Sequence, residues 1–220
     1  MSDQVQRFEN NSGEPIVRGY LHTSTRVARD GLVLTHGAGA NCEAQLLVML
    51  AEAFCDAGMS MLRCDLPFRQ ARPHGPPMRG SAERDQAGLR RAVEAIRKIV
   101  PGGVFLGGHS YGGRQASMLA ANDRGVVPAL LLLSYPLHPP KKREEMRTAH
   151  FPALQTPALF VSGTRDGFGT IDEIREALKL IPARTELLAI EGAGHELMTA
   201  KNRGELPTKI ASAFVKFVRE

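Results

Sequence analysis

The chain contains a Gly-x-Ser-x-Gly box at residues 108–112, directly after an apolar run at residues 104–106. A serine hydroxyl is a poor nucleophile at neutral pH, so it needs a base to take its proton and an acid to orient that base. Candidates for both follow, because Asp166 and His195 each lie in a later glycine-containing segment. The order serine, aspartate, histidine, with the serine between a strand and a helix, predicts nucleophilic attack on a carbonyl carbon.

Ser110 is the predicted nucleophile, since Gly108 and Gly112 let the chain turn sharply without side-chain clashes. A glycine-rich turn that only bends the chain or binds phosphate is the alternative. The segment lacks the Gly-Lys-Ser/Thr ending of a P-loop, and no acidic residue closes a later strand at the distance typical of a dinucleotide site. We therefore expect Ser110 to be a nucleophile.

His195 is the predicted general base, because it follows the last predicted strand in a glycine-rich loop. The chain has seven histidines, so a surface or capping role is the alternative for any one of them. His109 adjoins the serine but is expected to point away from it. His36 is expected to brace the loop that it begins rather than to transfer protons.

Asp166 is the predicted acid that accepts a hydrogen bond from the imidazole and orients it. An ordinary Asp-Gly turn is the alternative, since Gly167 follows directly. Asp172 and Glu191 are the replacements if Asp166 is not the acid. Asp65 lies too early in the chain for the usual order and is assigned no catalytic role.

The glycine-rich segment at residues 36–40 follows the first predicted buried strand. We expect the backbone N–H groups of Ala38 and Tyr111 to form an oxyanion hole, helped by the positive end of the helix that starts after Ser110. A glycine-rich connector without a chemical role is the alternative for this segment.

Short apolar strands alternate with amphipathic helices, which predicts a mostly parallel sheet covered on both faces. The predicted strands are one or two antiparallel N-terminal strands up to residue 23, then residues 31–35, 60–64, 103–107, 129–134, 158–162 and 186–190. The predicted helices cover residues 43–57 and then start at Ser81, at the serine turn, at the capping box of residues 170–173 and at Pro207, with a loop at residues 67–80. Ser81 is expected to cap the helix that it starts. We expect an α/β-hydrolase fold of about seven to eight strands, without a large cap domain, as a single domain over residues 1–220.

Composition narrows the class of protein. The net charge is +5, but no run of five basic residues occurs, so we expect no nucleic-acid partner. The N-terminus has no apolar signal segment and no stretch approaches the length of a membrane span. The three cysteines have no Cys-x-x-Cys spacing, which is typical of free thiols in a reducing compartment. We expect a cytoplasmic protein without metal or organic cofactor, and the oligomeric state stays open.

Several basic residues follow the strand ends that would surround the site. Arg69 and Arg114, with Arg72, Arg79 and the cluster at residues 141–143, suggest a substrate with an anionic group. Solvated loop charges are the equally weighted alternative. The candidate substrate contacts are His36, Arg69, Arg114 and Phe168.

Four segments together resemble a small family of cap-less α/β-hydrolases, similar to the dienelactone hydrolases. They are Asp-Leu-Pro-Phe-Arg at residues 65–69, the serine box, Tyr-Pro-Leu-His-Pro-Pro at residues 135–140 and Gly-Thr-Arg-Asp-Gly-Phe-Gly at residues 163–169. The family includes the hydrolase-like domain of a subunit of the chromatin NSL complex and a testis-expressed relative. The resemblance covers residues 31–220 and implies a triad of Ser110, Asp166 and His195. Unlike dienelactone hydrolases proper, the chain has serine where they place cysteine.

The residues and the resemblance together predict a serine hydrolase. It would cleave a carboxylic ester or thioester of a small soluble substrate through an acyl-enzyme at Ser110. The alternatives are an acyl thioesterase and a non-catalytic protein-binding module built on the same fold. A peptidase is less expected, because the chain has no propeller or cap domain that would select peptides.

Overall fold

The computed structural model describes residues 4–24 and 29–220. Eight strands form one sheet in the order β1-β2-β4-β3-β5-β6-β7-β8. They are β1 Gln4–Asn10, β2 Val17–Thr23, β3 Gly31–Thr35, β4 Ser60–Cys64, β5 Val104–His109, β6 Leu130–Leu133, β7 Ala158–Gly163 and β8 Thr185–Ile190. Strands β3 to β8 run parallel, whereas β2 pairs antiparallel with both β1 and β4. The predicted mostly parallel sheet with an antiparallel N-terminal edge is confirmed.

Helices cover both faces of this sheet. They are α1 Gln45–Asp56, α2 Pro67–Ala71, α3 Ser81–Arg97, α4 Tyr111–Asn122, α5 Ile171–Leu178 and α6 Leu206–Arg219. In β3, Val33 packs into the core under α3, α4 and α5, while Leu32 and Leu34 pack into the core under α1 and α6. Because successive strand side chains point to opposite faces, a continuous apolar strand such as β3 supplies both cores at once.

Two local predictions differ from the structure. The segment predicted as a loop begins with helix α2, because Pro67 is preset for a first helical position and Asp85 accepts the N–H of Phe68 at 3.0 Å. Ser81 does not cap α3: the capping position is Gly80, at φ 89°, and the Ser81 hydroxyl donates to the Met78 carbonyl. Glycine takes this left-handed position at little cost, so no serine cap is needed.

The connection between β6 and β7 contains one 3₁₀ turn, Phe151–Ala153, and no inserted domain. The predicted absence of a large cap is therefore confirmed, and the carboxyl ends of the parallel strands stay open. Within residues 4–24 and 29–220, no helix has the length and apolar character required to cross a membrane.

Candidate active site

Ser110 occupies a strained turn between β5 and α4. Its backbone has φ 51° and ψ −117°, a conformation that a residue with a Cβ rarely adopts. The Ser110 N–H donates to the Leu133 carbonyl at 2.8 Å, and the Arg114 N–H donates to the Ser110 carbonyl at 3.0 Å. These bonds hold a residue whose strain costs about 1–3 kcal/mol, which is typical of a functional site.

The two glycines of the box are required by close backbone approach. A Cβ on Gly108 would lie 2.5 Å from the carbonyl carbon of Gly112. A Cβ on Gly112 would lie 2.5 Å from the carbonyl oxygen of His36. Any side chain at either position would push the start of α4 away from β5 or from the loop after β3, and so would displace Ser110.

His195 bridges Ser110 and Asp166. Its Nε2 lies 2.8 Å from the Ser110 hydroxyl, and its Nδ1 lies 2.9 Å from Oδ2 and 3.0 Å from Oδ1 of Asp166. Asp166 is 1% exposed at its side chain and His195 is 18% exposed. A buried carboxylate accepts the Nδ1 proton, so Nε2 keeps a lone pair for the proton of the serine. The three residues singled out in the sequence therefore meet at one point.

The two replacement acids lie elsewhere. Asp172 forms an exposed ion pair with Arg175 at 2.8 Å, and Glu191 lies 3.4 Å from the Thr164 hydroxyl. Among the described residues, only Asp166 places a carboxylate against the Nδ1 of His195.

Two aromatic rings hold the imidazole of His195. The ring of Phe168 lies 4.1 Å from it, centroid to centroid, with the planes 30° apart.

His109 was expected to point away from the site, but it lines the cleft beside Ser110. Its Nε2 donates to the His195 carbonyl at 2.9 Å, and burial lowers its pKa, so the ring stays neutral. The prediction for His109 is wrong, because the bond to the His195 loop turns the ring toward the cleft.

The predicted oxyanion donors lie at the same place. The catalytic cleft, of about 370 Å³, is lined by Gly37, Ala38, Gly39, Ala40, His109, Ser110, Phe168, His195 and Glu196. Tyr111 is the first residue of α4, where backbone N–H groups have no acceptor within the helix. An oxyanion hole formed by the N–H groups of Ala38 and Tyr111 stays a prediction, which the positive end of α4 beside Ser110 favours.

Arg69 does not contact this cleft, and its predicted role in substrate binding is corrected. The residue is 6% exposed, and its guanidinium donates to four backbone carbonyls. Two acceptors, Ala38 at 2.7 Å and Ala40 at 2.8 Å, belong to the loop after β3, and two, Arg72 at 3.1 Å and Gly75 at 3.0 Å, follow α2. Arg69 therefore fixes the loop that carries the candidate oxyanion donor.

His36 braces the loop after β3 and does not line the catalytic cleft. It has no exposed surface, its Nδ1 donates to the Gly37 carbonyl at 2.8 Å, and its Nε2 accepts the Leu66 N–H at 3.2 Å. Burial lowers the pKa of the ring. The neutral imidazole links the loops after β3 and β4, as the bracing role required. Asp65 accepts the Cys42 N–H at 2.7 Å in the same region, and its Oδ1 lies 3.4 Å from His36 Nε2.

The catalytic cleft does not contain the basic residues predicted around its mouth. No lysine or arginine is among the described residues that line the catalytic cleft, and Arg114 lies one helical turn after Ser110 with its Nε buried and unpartnered. Lys142 and Arg143 pair with Glu145 at 2.6 Å and Glu173 at 3.3 Å. These two loop charges are therefore paired with nearby carboxylates, which favours the alternative of solvated loop charges.

Asp85 is a buried acid that the sequence prediction missed. It accepts the Phe68 N–H at 3.0 Å and the Tyr111 hydroxyl at 2.8 Å, and so joins α2 to the start of α4. Burial raises the pKa values of both Asp85 and Tyr111. A signal was available, because Asp85 lies four residues before Leu89 on the apolar face of α3, where a carboxylate needs a specific partner.

The described residues contain no group of three or more His, Cys, Asp or Glu side chains that could hold a metal ion.

The fold is shared with solved structures of low sequence identity. One is a dienelactone hydrolase from Anabaena variabilis, with a TM-score of 0.77, 20% identity, and coverage of 97% of this chain and 98% of that chain. Another is Est1E from Butyrivibrio proteoclasticus, with a TM-score of 0.76, 15% identity, and coverage of 97% of this chain and 99% of that chain. A third is the esterase domain of a Rhodothermus marinus protein, with a TM-score of 0.70, 15% identity, and coverage of 99% of this chain and 100% of that chain. At these identities the likeness concerns the fold. Residues 28–220 match the model of the α/β hydrolase domain family, and the chain belongs to that family.

Proposed function

We propose that this protein is a serine hydrolase that cleaves a carboxylic ester or thioester of a small substrate through an acyl-enzyme at Ser110. One observation carries the proposal: the His195 imidazole contacts the Ser110 hydroxyl and the buried Asp166 carboxylate through its two nitrogens, at 2.8 and 2.9 Å. A protein that only binds a partner has no physical need for this arrangement at a strained turn.

The chemistry follows from the protons in this arrangement. Ser110 Oγ attacks the carbonyl carbon while His195 Nε2 takes its proton, and the resulting oxyanion accepts the N–H groups of Ala38 and Tyr111. His195 then gives the proton to the leaving oxygen or sulfur as the bond to it breaks. Water, deprotonated by His195, attacks the acyl-enzyme, and Ser110 regains a proton as the acid is released.

The openness and size of the catalytic cleft support a small substrate. The cleft has about 370 Å³, within the range of small-molecule sites, and no domain is inserted between β6 and β7 to cover it. The structural relatives bear the names dienelactone hydrolase and esterase, and one of them, Est1E, has been described with ferulic acid bound. Ester and thioester cleavage use the same residues, so both substrate classes belong in a screen.

Intact-mass analysis after treatment with a fluorophosphonate tests the proposal. We expect one adduct on the wild-type protein and none on Ser110→Ala, because only an activated serine displaces fluoride from phosphorus. Peptide mapping should place the adduct on Ser110. A folded wild-type protein that takes up no probe, or that takes it up equally in Ser110→Ala, would overturn the proposal and favour the binding module.

Arg69→Met should lower kcat for 4-nitrophenyl acetate by roughly 10- to 100-fold with little change in KM. The lost bonds to the Ala38 and Ala40 carbonyls free the loop whose N–H group faces the oxyanion, and this donor acts mainly in the transition state. Arg69→Lys should recover only part of the rate, because an ammonium cannot reach all four carbonyls in the planar fork geometry.

Arg79→Met is the matched control, since Arg79 is an exposed arginine of the same segment. Steady-state kinetics and thermal unfolding should be measured for all three variants. If Arg69→Met lowers both kcat and the unfolding temperature, and Arg69→Lys restores neither, the role of Arg69 is in stability alone. A rise in KM without a change in kcat would restore Arg69 as a substrate contact.

A further inference from the structure

A second cleft, of about 460 Å³, opens beside the catalytic cleft, and we name it the side cleft. The two clefts share Gly37, Ala40, His109 and Glu196, so they are neighbours across the same walls. The other residues of the side cleft are His36, Ala44, Gln45, Leu46, Leu47, Met198, Thr199, Ala200 and Arg203. This adjacency places the side cleft within reach of a group attached to a carbonyl at Ser110.

The first wall of the side cleft is apolar and rigid. It is formed by the start of α1, where Leu46 and Leu47 are buried in the core and Ala44 is half-buried. Leu47 packs into the same core as α6. Such a wall offers contact area but few hydrogen-bonding side chains to a ligand.

The second wall is the segment after His195, which is fixed by its own hydrogen bonds. Leu197 is fully buried at φ 60°. The Thr199 N–H donates to the Asn202 side chain at 2.7 Å, the Asn202 N–H donates to the Thr199 hydroxyl at 3.2 Å, and the Asn202 amide donates to the Leu197 carbonyl at 2.9 Å. These bonds hold Met198 and Ala200 against the side cleft, so it is formed before a ligand arrives.

Charge on the lining excludes a strongly anionic or cationic site. Glu196 and Arg203 are its only charged residues among those described, apart from histidines whose pKa values burial lowers. Both side chains are exposed and have opposite signs. Alanine, leucine and methionine residues line the cleft between them, together with two buried histidines and the uncharged polar residues Gln45 and Thr199.

We propose that the side cleft binds an unbranched aliphatic chain of the ester, in its acyl or its alkoxy part. This inference rests on the proposed function, and it makes the substrate class medium-chain aliphatic esters rather than esters of small anionic acids. Each methylene buried there should raise kcat/KM roughly fourfold until the side cleft is full.

Filling the side cleft from each wall tests the proposal. We expect Ala44→Phe and Ala200→Phe to lower the ratio of kcat/KM for a long-chain ester to that for a short-chain ester by at least about tenfold. One arm compares 4-nitrophenyl octanoate with the acetate, and the other compares octyl acetate with ethyl acetate. The arm in which the ratio falls identifies the part of the ester that occupies the side cleft.

Ala71→Phe is the matched control. Ala71 lines another small cleft, with Pro67, Phe68 and Met78, which shares no residue with the catalytic cleft or the side cleft. The same alanine-to-phenylalanine change there should leave both ratios as in the wild type. Two filling variants from opposite walls keep the test valid if one of them fails to fold.

A binding measurement separates this proposal from the proposed function. Octan-1-ol is titrated into Ser110→Ala by NMR, alone and combined with each filling change. We expect the filling changes to weaken binding at least about tenfold and Ala71→Phe to leave it unchanged. If folded filling variants bind octan-1-ol unchanged and keep the wild-type ratios of kcat/KM for long-chain to short-chain esters, the proposal that the side cleft binds an aliphatic chain is overturned. Chain binding that the filling changes abolish, in a protein that hydrolyses no ester, would overturn the proposed function alone.

Discussion

Ser110→Ala should lower kcat for ester hydrolysis by a factor on the order of 10⁵ to 10⁶, while the chain stays folded. The effect is this large because the nucleophile, the base and the acid act as a unit, and without the Ser110 hydroxyl His195 and Asp166 have no nucleophile to activate. The side chain makes one hydrogen bond, to His195, so its loss removes little packing. Steady-state kinetics with 4-nitrophenyl acetate, beside circular dichroism of the same samples, measure both consequences.

Ser110→Gly should be equally inactive but should unfold at a higher temperature than Ser110→Ala. The backbone at residue 110, with φ 51° and ψ −117°, penalises any Cβ, and glycine relieves that strain. The relief, about 1–3 kcal/mol, exceeds the roughly 0.5–1 kcal/mol that glycine costs through the entropy of the unfolded chain. The strain would then be retained for the reaction and not for the fold.

Ser81→Ala is the control for both measurements, because its hydroxyl only donates to a nearby carbonyl at the start of α3. Its kinetics should match the wild type. If Ser110→Ala kept more than a small percentage of the wild-type rate, the hydrolysis would come from another nucleophile, and the role assigned to His195 would lose its basis.

The meeting of Ser110, Asp166 and His195 could be predicted because their signals are local. Ser110 and Asp166 follow the buried strands β5 and β7, and His195 follows the half-buried edge strand β8. The carboxyl ends of parallel strands meet at one edge of a sheet. The order of Ser110, Asp166 and His195 along the chain then limited which acid and base could meet the serine. The capping box at Thr170 and Glu173, which starts α5, was predictable for the same reason.

The roles of Arg69 and Asp85 could not be predicted in the same way. An arginine near a strand end was expected to face solvent and an anionic substrate, but α2 buries Arg69 against four carbonyls. Burial of that kind depends on how loops from distant parts of the chain pack together. The side cleft is a further case, since Ala44 and Ala200 form opposite walls although they are far apart in the chain.

Asp166→Asn should lower kcat by about 10⁴-fold with a small change in KM, because it reverses the tautomer of His195. Oδ1 of Asp166 accepts the Phe168 N–H at 2.8 Å, and Oδ2 lies 2.9 Å from His195 Nδ1. Nδ1 also lies 3.0 Å from Oδ1, but in an asparagine that oxygen accepts the Phe168 N–H, and the NH₂ group takes the Oδ2 position at 2.9 Å from Nδ1. Nδ1 then becomes the acceptor, the proton moves to Nε2, and Nε2 can no longer take the proton of Ser110.

Asp172→Asn and Glu191→Gln are the matched controls for this tautomer argument, since both remove an acid that the sequence left as a replacement. Both should keep wild-type kinetics, because Asp172 is 90% exposed beside Arg175 and Glu191 contacts Thr164. The fluorophosphonate labelling rate of Asp166→Asn should fall in parallel with kcat, since both reactions need the proton of Ser110 to leave. A normal rate in Asp166→Asn, with a loss in either control, would transfer the role of the acid to that residue.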